Sequence, residues 1–247
     1  MSRKKAIGSC SLRGDQKGVI ITPFVRGQAK GQARCQVRDQ NPLIKICGLT
    51  RPCDIDMVNL EKPEYIGFVF AKSRRQVTPA QAAMLRQRLA EGIIPVGVFV
   101  DEPIENILSL LREDVIGMVQ LHGKEDEAYI QRLKELTDKP IIKAIAVEKA
   151  EDVKKRAKTV ADYLLFDGPG GGTGQPFDWD LIPPERGIKE GKEEKPYFLA
   201  GGLNPGNAKE AIRRTGAFAM DVSSGVETNG LKDPIKIKEF IRRVRHE

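Results

Sequence analysis

Short apolar segments alternate with longer amphipathic segments from Leu43 to the C-terminus. The short segments have the length and β-branched content of buried strands, whereas the longer ones repeat apolar residues at helical spacing. Eight strands are predicted, over Leu43–Cys47, Tyr65–Phe70, Pro95–Val100, Gly117–Leu121, Ile141–Ala146, Tyr163–Phe166, Tyr197–Ala200 and Ala217–Val222. Helices are predicted over Pro79–Ala90, Ile104–Arg112, Glu125–Thr137, Asn204–Thr215 and Pro234–Arg245.

This repetition of strand and helix predicts an α/β fold with a parallel sheet. Eight strand–helix pairs favour closure into a (β/α)8 TIM barrel, because closure removes both edges of the sheet. Such a barrel needs roughly 200 to 250 residues, and the chain has 247. A doubly wound open sheet is the alternative that the pattern leaves open.

The first forty residues lack this pattern. They are rich in Gly, Gln, Ser, Lys and Arg, and their one apolar segment, Gly18–Val25, is interrupted by Pro23. A segment of this kind buries too little apolar surface to offset the entropy lost on ordering. We therefore predict a basic, disordered N-terminal arm over residues 1–41 and a barrel domain over residues 42–247. Val37 is an alternative translation start if its codon is GTG.

The net charge of +7 is concentrated in this arm. Residues 1–40 hold nine basic and two acidic side chains, and subtracting these from the totals of 41 and 34 leaves 32 of each sign. The predicted domain is therefore formally neutral. It also has a single Trp and few other aromatic residues, so it lacks the base-stacking surface of a nucleic-acid-binding protein, which the arm alone would suggest.

Cysteine, histidine and apolar content narrow the class of protein further. The four cysteines form no CxxC pair, and the only histidines are His122 and His246, which disfavours a structural zinc site. No stretch approaches the roughly 18 apolar residues of a membrane span, and no secretory signal is recognised. We expect a cytoplasmic protein with free thiols, no structural zinc and no membrane partner.

Polar and glycine residues follow the predicted strands at their carboxyl ends. In a (β/α)8 barrel these ends meet at one face, where the active sites of this fold lie. The sequence therefore predicts one pocket, lined by Cys47, Gly48, residues 72–75, Asp101, His122, Gly123, Asp167, Gly168, Gly201, Gly202 and residues 221–225.

Cys47 and Asp167 are the candidates for proton transfer. A thiol beside Gly48 leaves room for a ligand to approach, although a lone cysteine is more often a small buried hydrophobe. A carboxylate that ends an apolar strand is poorly placed for solvent, although Asp167 could equally cap the next turn. The glycine-rich run 168–174 lacks both the P-loop lysine and GxGxxG spacing, so it is interpreted as a mobile lid.

Two glycine-bearing loops predict a phosphate site. Gly201 and Gly202 follow the seventh strand, and Ser223, Ser224 and Gly225 follow the eighth. TIM barrels commonly bind phosphate at these positions through backbone N–H groups and a helix N-terminus. The alternative is that these glycines only form ordinary turns, but turn formation would not require glycine-bearing loops at both positions.

Nine motifs, in order along about four-fifths of the chain, resemble the phosphoribosylanthranilate isomerase family of tryptophan biosynthesis. They are KICGLT at 45–50, GFVF at 67–70, SRR at 73–75, VGVFV at 96–100, VQLHG at 119–123, LLFD at 164–167, GTGQPFDW at 172–179, AGGLNP at 200–205 and MDVSSGVE at 220–227. The basic arm lies outside this resemblance.

The resemblance implies an isomerase that converts N-(5-phosphoribosyl)anthranilate to 1-(2-carboxyphenylamino)-1-deoxyribulose 5-phosphate by an Amadori rearrangement. This reaction needs proton transfers only, so no metal and no cofactor is expected. Asp167 would be the general acid at the furanose ring oxygen, and Cys47 the general base at C2. Arg75 would bind the anthranilate carboxylate, and His122 and Asp221 would line the pocket. An exposed Arg75 and a structural His122 are the alternatives, and the assembly is either a monomer or a homodimer.

Two other phosphosugar barrels share the predicted phosphate loops. An indole-3-glycerol-phosphate synthase would need a catalytic lysine and glutamate at the mouth, and a sugar-phosphate epimerase would need metal ligands or paired aspartates. Cys47 opposite Asp167 disfavours both.

Overall fold

The computed structural model describes residues 41–156, 158–169, 177–182, 187–190 and 193–246. The predicted basic arm, apart from Asn41, lies outside the described residues. The same holds for residues 170–174 of the predicted lid. The fold described below therefore belongs to the predicted barrel domain.

Eight parallel strands form a closed ring. Each strand pairs with the next one along the chain, and β8 pairs with β1, so the barrel has no free edge. This confirms the (β/α)8 TIM barrel and excludes the open sheet. The strands are β1 (Leu43–Cys47), β2 (Tyr65–Val69), β3 (Ile94–Phe99), β4 (Met118–Leu121), β5 (Ile141–Ala146), β6 (Tyr163–Asp167), β7 (Glu193–Leu199) and β8 (Ala219–Val222).

Seven α-helices are present in the described part of the chain, six of them between strands of the barrel and one after β8. They are α1 (Pro52–Glu61), α2 (Pro79–Arg88), α3 (Ile104–Arg112), α4 (Glu127–Leu136), α5 (Ala150–Arg156), α6 (Ala208–Thr215) and α7 (Pro234–Arg245). None of them is long and apolar enough to cross a membrane.

Helices α1 and α5 were not predicted, because neither carries a clear apolar stripe. In α1, Ile55 and Val58 are buried but Leu60 is exposed, so its apolar residues do not share one face. The N-terminus of α1 is instead defined by Asp54, whose carboxylate accepts the N–H groups of Thr50 and Arg51 at 3.0 and 2.9 Å. The capping side chain stabilises a helix that hydrophobic periodicity does not reveal.

Between β6 and β7, the described residues 168–169, 177–182 and 187–190 contain no α-helix, so the predicted strand–helix pair is not observed in this part of the chain. The described residues there form a 3-10 turn, Trp179–Leu181, and a strand, Gly187–Glu190, that pairs antiparallel with the start of β7. Trp179 is buried, and the guanidinium of Arg214 on α6 lies 5.6 Å from its ring centroid. Trp179 thus belongs to the apolar layer between the strands and the helices.

Side chains alternate between two buried layers along each strand. One layer packs between the strands and the helices, and the other fills the barrel interior. Tyr65, Met118, Leu165, Phe198 and Ala219 belong to the interior layer. The next inward positions toward the carboxyl ends of the strands include the polar side chains of Lys45, Gln120, Asp167 and Asp221. These polar residues mark the mouth of the barrel.

Candidate active site

The alternation of strand residues directs three predicted side chains into the barrel. Asp167 lies two residues after the inward-facing Leu165, and Asp221 lies two residues after Ala219. Cys47 lies on the same face of β1, four residues after Leu43, which packs against the interior layer. All three line one cavity of about 730 Å³ at the carboxyl ends of the strands.

The cavity also contains most of the other predicted residues. Its lining includes Lys72, Ser73, Arg75, His122, Gly123, Gly201, Gly202, Ser223 and Ser224. Asp101 is not part of this lining. Its carboxylate instead accepts the N–H of Lys124 at 2.7 Å, which orders the loop after β4.

The thiol of Cys47 fits into space left by a glycine on the neighbouring strand. Gly67 on β2 pairs in register with Cys47, and a Cβ added to Gly67 would lie 2.5 Å from the Cys47 sulfur. Any side chain at residue 67 would displace the thiol. The glycine of the GFVF motif therefore provides room for Cys47.

A buried ion pair lies beside Cys47 in the barrel interior. Lys45, two residues earlier on β1, is fully buried and donates to Oδ2 of Asp221 at 2.9 Å. Lys45 and Asp221 are also partners in the register of β1 and β8. Burial lowers the pKa of Lys45, but the neighbouring Asp221 and Cys47 outweigh it, so the pKa is raised and Lys45 carries a positive charge.

Burial raises the pKa of the Cys47 thiol. The positive charge of Lys45 opposes this effect, the negative charge of Asp221 adds to it, and Lys232 opposes it from the loop after β8. The net direction is upward, so the thiol form predominates at neutral pH. A thiolate at this position needs the help of its cationic neighbours.

Asp167 is positioned by groups on both sides. Its Oδ1 accepts the N–H of Gly168 at 2.8 Å, and its Oδ2 lies 3.6 Å from Nε2 of His122. The amide nitrogen of Gln120 lies 3.1 Å from Nδ1 of the same ring. When Gln120 donates to Nδ1, the proton of a neutral His122 is on Nε2, facing Asp167.

Arg75 is engaged by a carboxylate of the protein. Nε donates to Oε1 of Glu227 at 2.7 Å and Nη2 to Oε2 at 3.1 Å. Lys232 and Arg74 also donate to Glu227, at 2.8 and 2.5 Å. Burial raises the pKa of Glu227, but hydrogen bonds from Arg75 and Lys232 outweigh it and lower the pKa. Three cations around one carboxylate leave this side of the cavity net positive.

The two predicted phosphate loops contact each other through Gly225. A Cβ added to Gly225 would lie 1.8 Å from the carbonyl oxygen of Leu203, so only glycine permits this approach. Gly201 and Gly202 both have positive φ, 78° and 67°, which turns the loop after β7 toward the cavity. Ser224 and Gly225 begin a 3-10 turn, and the first N–H groups of such a turn have no acceptor within it. This arrangement suits an anion.

Four residues near the cavity were not singled out from the sequence: Lys45, Gln120, Glu227 and Lys232. Lys45 had a signal, because a lysine in the middle of the apolar strand LIKIC shares its face with Cys47. Gln120 similarly precedes His122 by two residues. For Glu227 and Lys232 the sequence carries no signal of a contact with Arg75, because that contact depends on the closure of the barrel.

A family model and curated relatives place the chain in one family. A family model described as N-(5'phosphoribosyl)anthranilate (PRA) isomerase matches residues 44–243. The chain is similar to the N-(5'-phosphoribosyl)anthranilate isomerase of Endomicrobium trichonymphae, with 46% identity over 208 residues, 83% of this chain and 98% of that protein. The matched segment contains every residue of the cavity named above.

Two solved structures are similar over the same part of the chain. The crystal structure of phosphoribosyl anthranilate isomerase from Thermotoga maritima matches with a TM-score of 0.74 and 34% identity, over 83% of this chain and 100% of that one. A phosphoribosyl anthranilate isomerase in complex with reduced 1-(o-carboxyphenylamino)-1-deoxyribulose 5-phosphate matches with a TM-score of 0.71, 34% identity and the same coverage.

Proposed function

The chain belongs to the N-(5'-phosphoribosyl)anthranilate isomerase family, and we propose that Cys47 and Asp167 perform the proton transfers of its reaction. The enzyme converts N-(5'-phosphoribosyl)anthranilate to 1-(2-carboxyphenylamino)-1-deoxyribulose 5-phosphate, a step of tryptophan biosynthesis. One observation carries the proposal: a thiol on β1 and a carboxylate on β6 line the same cavity at the barrel mouth.

Asp167 opens the furanose ring as a general acid. It donates a proton to the ring oxygen while the C1–O bond breaks and the nitrogen lone pair forms a C1=N double bond, which gives a protonated Schiff base. The carboxylate that remains is stabilised by the N–H of Gly168, which already donates to Asp167. The positive nitrogen then withdraws electrons from the bond between C2 and its hydrogen.

Cys47 takes the C2 proton as a general base. The electron pair of the C2–H bond forms a C1=C2 double bond, and the C1=N electrons return to nitrogen, which gives an enolamine. Loss of the proton on the C2 hydroxyl and gain of one at C1 produce the ketone, so the overall reaction is an isomerisation with no net proton change. The substrate nitrogen acts as the electron sink.

The reactive protonation states are a thiolate at Cys47 and a protonated Asp167. The raised pKa of Cys47 favours the thiol before the substrate binds. Moving one proton from the thiol to the carboxylate produces the reactive distribution without changing the total charge of the site. Solution pH therefore does not select between the two proton distributions, because both have the same total charge. The local charges around Cys47 decide how much of the reactive distribution is present.

The rest of the substrate is bound by groups around the two reacting residues. We assign the phosphate to the loops that contain Gly201, Gly202, Ser223, Ser224 and Gly225, whose backbone N–H groups are suited to an anion.

The anthranilate carboxylate is assigned to Arg75. Glu227 occupies Nε and Nη2 of this guanidinium, which leaves Nη1 for the substrate. His122 and Asp221 complete the pocket wall.

Turnover of phosphoribosylanthranilate, followed by the loss of anthranilate-type fluorescence, tests this function. The wild-type chain is expected to convert the substrate, whereas Cys47→Ser and Asp167→Asn lose turnover. Cys53→Ser is the matched control, because Cys53 is an exposed cysteine on α1. A wild-type chain without turnover contradicts the function, and an active Cys47→Ser or Asp167→Asn variant contradicts the assigned roles.

The assembly and the cellular location are also proposals. We propose a cytoplasmic monomer or homodimer whose partner is a small phosphorylated substrate rather than a nucleic acid or a membrane. Size-exclusion chromatography with light scattering measures the assembly, and a larger oligomer would contradict it.

A further inference from the structure

The buried pair Lys45–Asp221 has no part in the proton transfers proposed above. Both side chains are in the barrel interior, with relative exposures of 0% and 7%. Oδ2 of Asp221 accepts from Lys45, and Oδ1 has no hydrogen-bond partner in the described part of the chain. Burying two charges costs free energy that their attraction rarely exceeds, so apolar residues of similar volume would serve stability at least as well.

The position of the pair gives a reason for its presence. Lys45 and Cys47 are two residues apart on β1 and face the same interior, so the lysine side chain reaches the thiol. Asp221 lies across from Lys45 on β8 and binds its ammonium group. This hydrogen bond fixes the position of the ammonium group in the barrel interior.

Other charged groups lie near Cys47, but their effect on the thiol is less direct than that of Lys45. Lys232 approaches from the loop after β8 and is bound to Glu227 at 2.8 Å. Asp167 on β6 and His122, directly after β4, act on Asp221. Arg75, after β2, is held by Glu227. On β2 itself, the residue paired with Cys47 is the uncharged Gly67. Among these groups, Lys45 is the cation best placed to stabilise a thiolate.

We propose that Lys45 is a positioning residue that stabilises the thiolate of Cys47, and that Asp221 holds its ammonium group beside the sulfur. The proposal rests on the assigned role of Cys47 as general base. It also extends the role of Asp221 from the pocket wall to the orientation of Lys45. The charge of Lys45 lowers the pKa of Cys47 and so opposes the effect of burial, in agreement with this role.

Alkylation by iodoacetamide measures the thiolate directly and without substrate. The rate at Cys47 is followed by mass spectrometry across a pH series, in the full-length chain, with the exposed Cys53 as internal reference. In Lys45→Met we expect alkylation of Cys47 at pH 8 to slow by about tenfold or more, the usual effect of removing a neighbouring opposite charge. The rate at Cys53 should not change.

A double variant, Lys45→Met with Asp221→Asn, removes the pair without leaving a buried charge unpaired. It guards against misfolding of the single variant, and it should show the same slow alkylation. Lys143→Met is the matched control, because Lys143 is another buried lysine of the barrel, paired with Glu125 at 2.6 Å and absent from the charges that act on Cys47. Its alkylation profile should equal that of the wild type.

Wild-type alkylation rates in the folded double variant would overturn the proposal. If neither Lys45 variant folds while Lys143→Met does, the pair serves stability alone. This result would also overturn the proposal. Neither result depends on turnover. An active Cys47→Ser variant would instead contradict the general base itself, so the two failures are distinguishable.

Discussion

Arg75 and Glu227 form a two-point ion pair, with Nε to Oε1 at 2.7 Å and Nη2 to Oε2 at 3.1 Å. The pair joins the loop after β2 to the loop after β8, and it fixes the plane of the guanidinium at the edge of the cavity. The side chain of Arg75 is 14% exposed, so its loop position does not make it a solvated surface arginine. A held guanidinium loses less entropy when a ligand carboxylate binds it.

Replacing Arg75 by lysine should lower kcat/KM by at least about tenfold, or roughly 1.4 kcal/mol of transition-state stabilisation. A lysine cannot keep two bonds to Glu227 and also offer a planar fork to the substrate. Steady-state kinetics with phosphoribosylanthranilate measures the effect. Arg74→Lys is the matched control, since Arg74 contacts the same carboxylate but is 58% exposed. Unchanged kinetics in both Arg75→Lys and Arg75→Ala would contradict a role of Arg75 in binding the substrate carboxylate.

Glu227→Gln should destabilise the protein at pH 7 by about 3 kcal/mol, because it leaves Lys232 and Arg75 without their buried counter-charge. The effect depends on pH. The pKa of Glu227 is lower in the folded state than in the unfolded state, so its ionisation stabilises the fold above the ordinary glutamate pKa of about 4.3. This contribution is lost as the pH falls through the lowered folded value.

Chemical denaturation of wild type and Glu227→Gln at pH 7 and at about pH 3 measures this dependence. The difference between the two proteins should be large at pH 7 and shrink at the lower pH. Glu210→Gln is the control, because Glu210 is an exposed partner of Arg214 at 3.6 Å, and it should change little at either pH. A difference for Glu227→Gln that grows toward low pH would contradict the sign.

Gly225→Ala should weaken binding of the substrate phosphate. The added Cβ would lie 1.8 Å from the carbonyl oxygen of Leu203, so one of the two phosphate loops must move. We expect KM to rise by about tenfold or more, since about 1.4 kcal/mol of binding is lost for each factor of ten. Gly117→Ala is the control, because its added Cβ would meet ordinary contacts of 3.4 Å or longer at the opposite end of β4. Equal KM values in both variants would remove Gly225 from the phosphate site.

The sequence predicts those parts of the fold and the cavity that depend on local pattern. Five helices follow from the spacing of their apolar residues, and eight strands follow from their short apolar, β-branched runs, because both signals are local in the sequence. The mouth residues Cys47, Asp167 and Asp221 follow from their position at strand ends, since the barrel brings those ends together. Helix α1 escaped detection because a capping aspartate, rather than an apolar stripe, defines its start.

The contacts that set the charge of the cavity could not be predicted in the same way. Glu227 meets Arg75, 152 residues away along the chain, only when β8 closes on β1. Lys45 meets Asp221 across the same closure, 176 residues apart. The pKa of Cys47 depends on both the charges and the burial that closure creates, so it belongs to the folded barrel and not to the motif KICG.

Deletion of residues 1–40 should leave turnover intact. Every side chain assigned to the reaction lies between Lys45 and Lys232, and the family model begins at residue 44. The truncated and full-length chains are compared by kcat/KM under the same conditions, with thermal unfolding as the check on folding. Equal values within about twofold support the prediction. A large loss of kcat/KM in a folded truncated chain would give the basic arm a part in the reaction.

Cys47→Ser and Asp167→Asn should each lower kcat by about 100-fold or more, the usual contribution of a general acid or base. Both keep the shape of the site, so KM should change little. Serine replaces the thiol by a far weaker acid, and asparagine removes the proton that Asp167 gives to the ring oxygen. The two effects should not add, because the steps share one reaction path and a proton that moves between the two groups.

Control variants keep the residue types and lie outside these roles. Cys53→Ser removes the exposed thiol of α1. Asp101→Asn changes a strand-end carboxylate that is not part of the cavity lining and keeps an acceptor for the N–H of Lys124. Both should retain wild-type kcat. Thermal unfolding shows whether each variant is folded. If folded Cys47→Ser or Asp167→Asn kept near-wild-type kcat, a water molecule or a substrate group would have to carry that proton instead, and the assignment of that residue would be wrong.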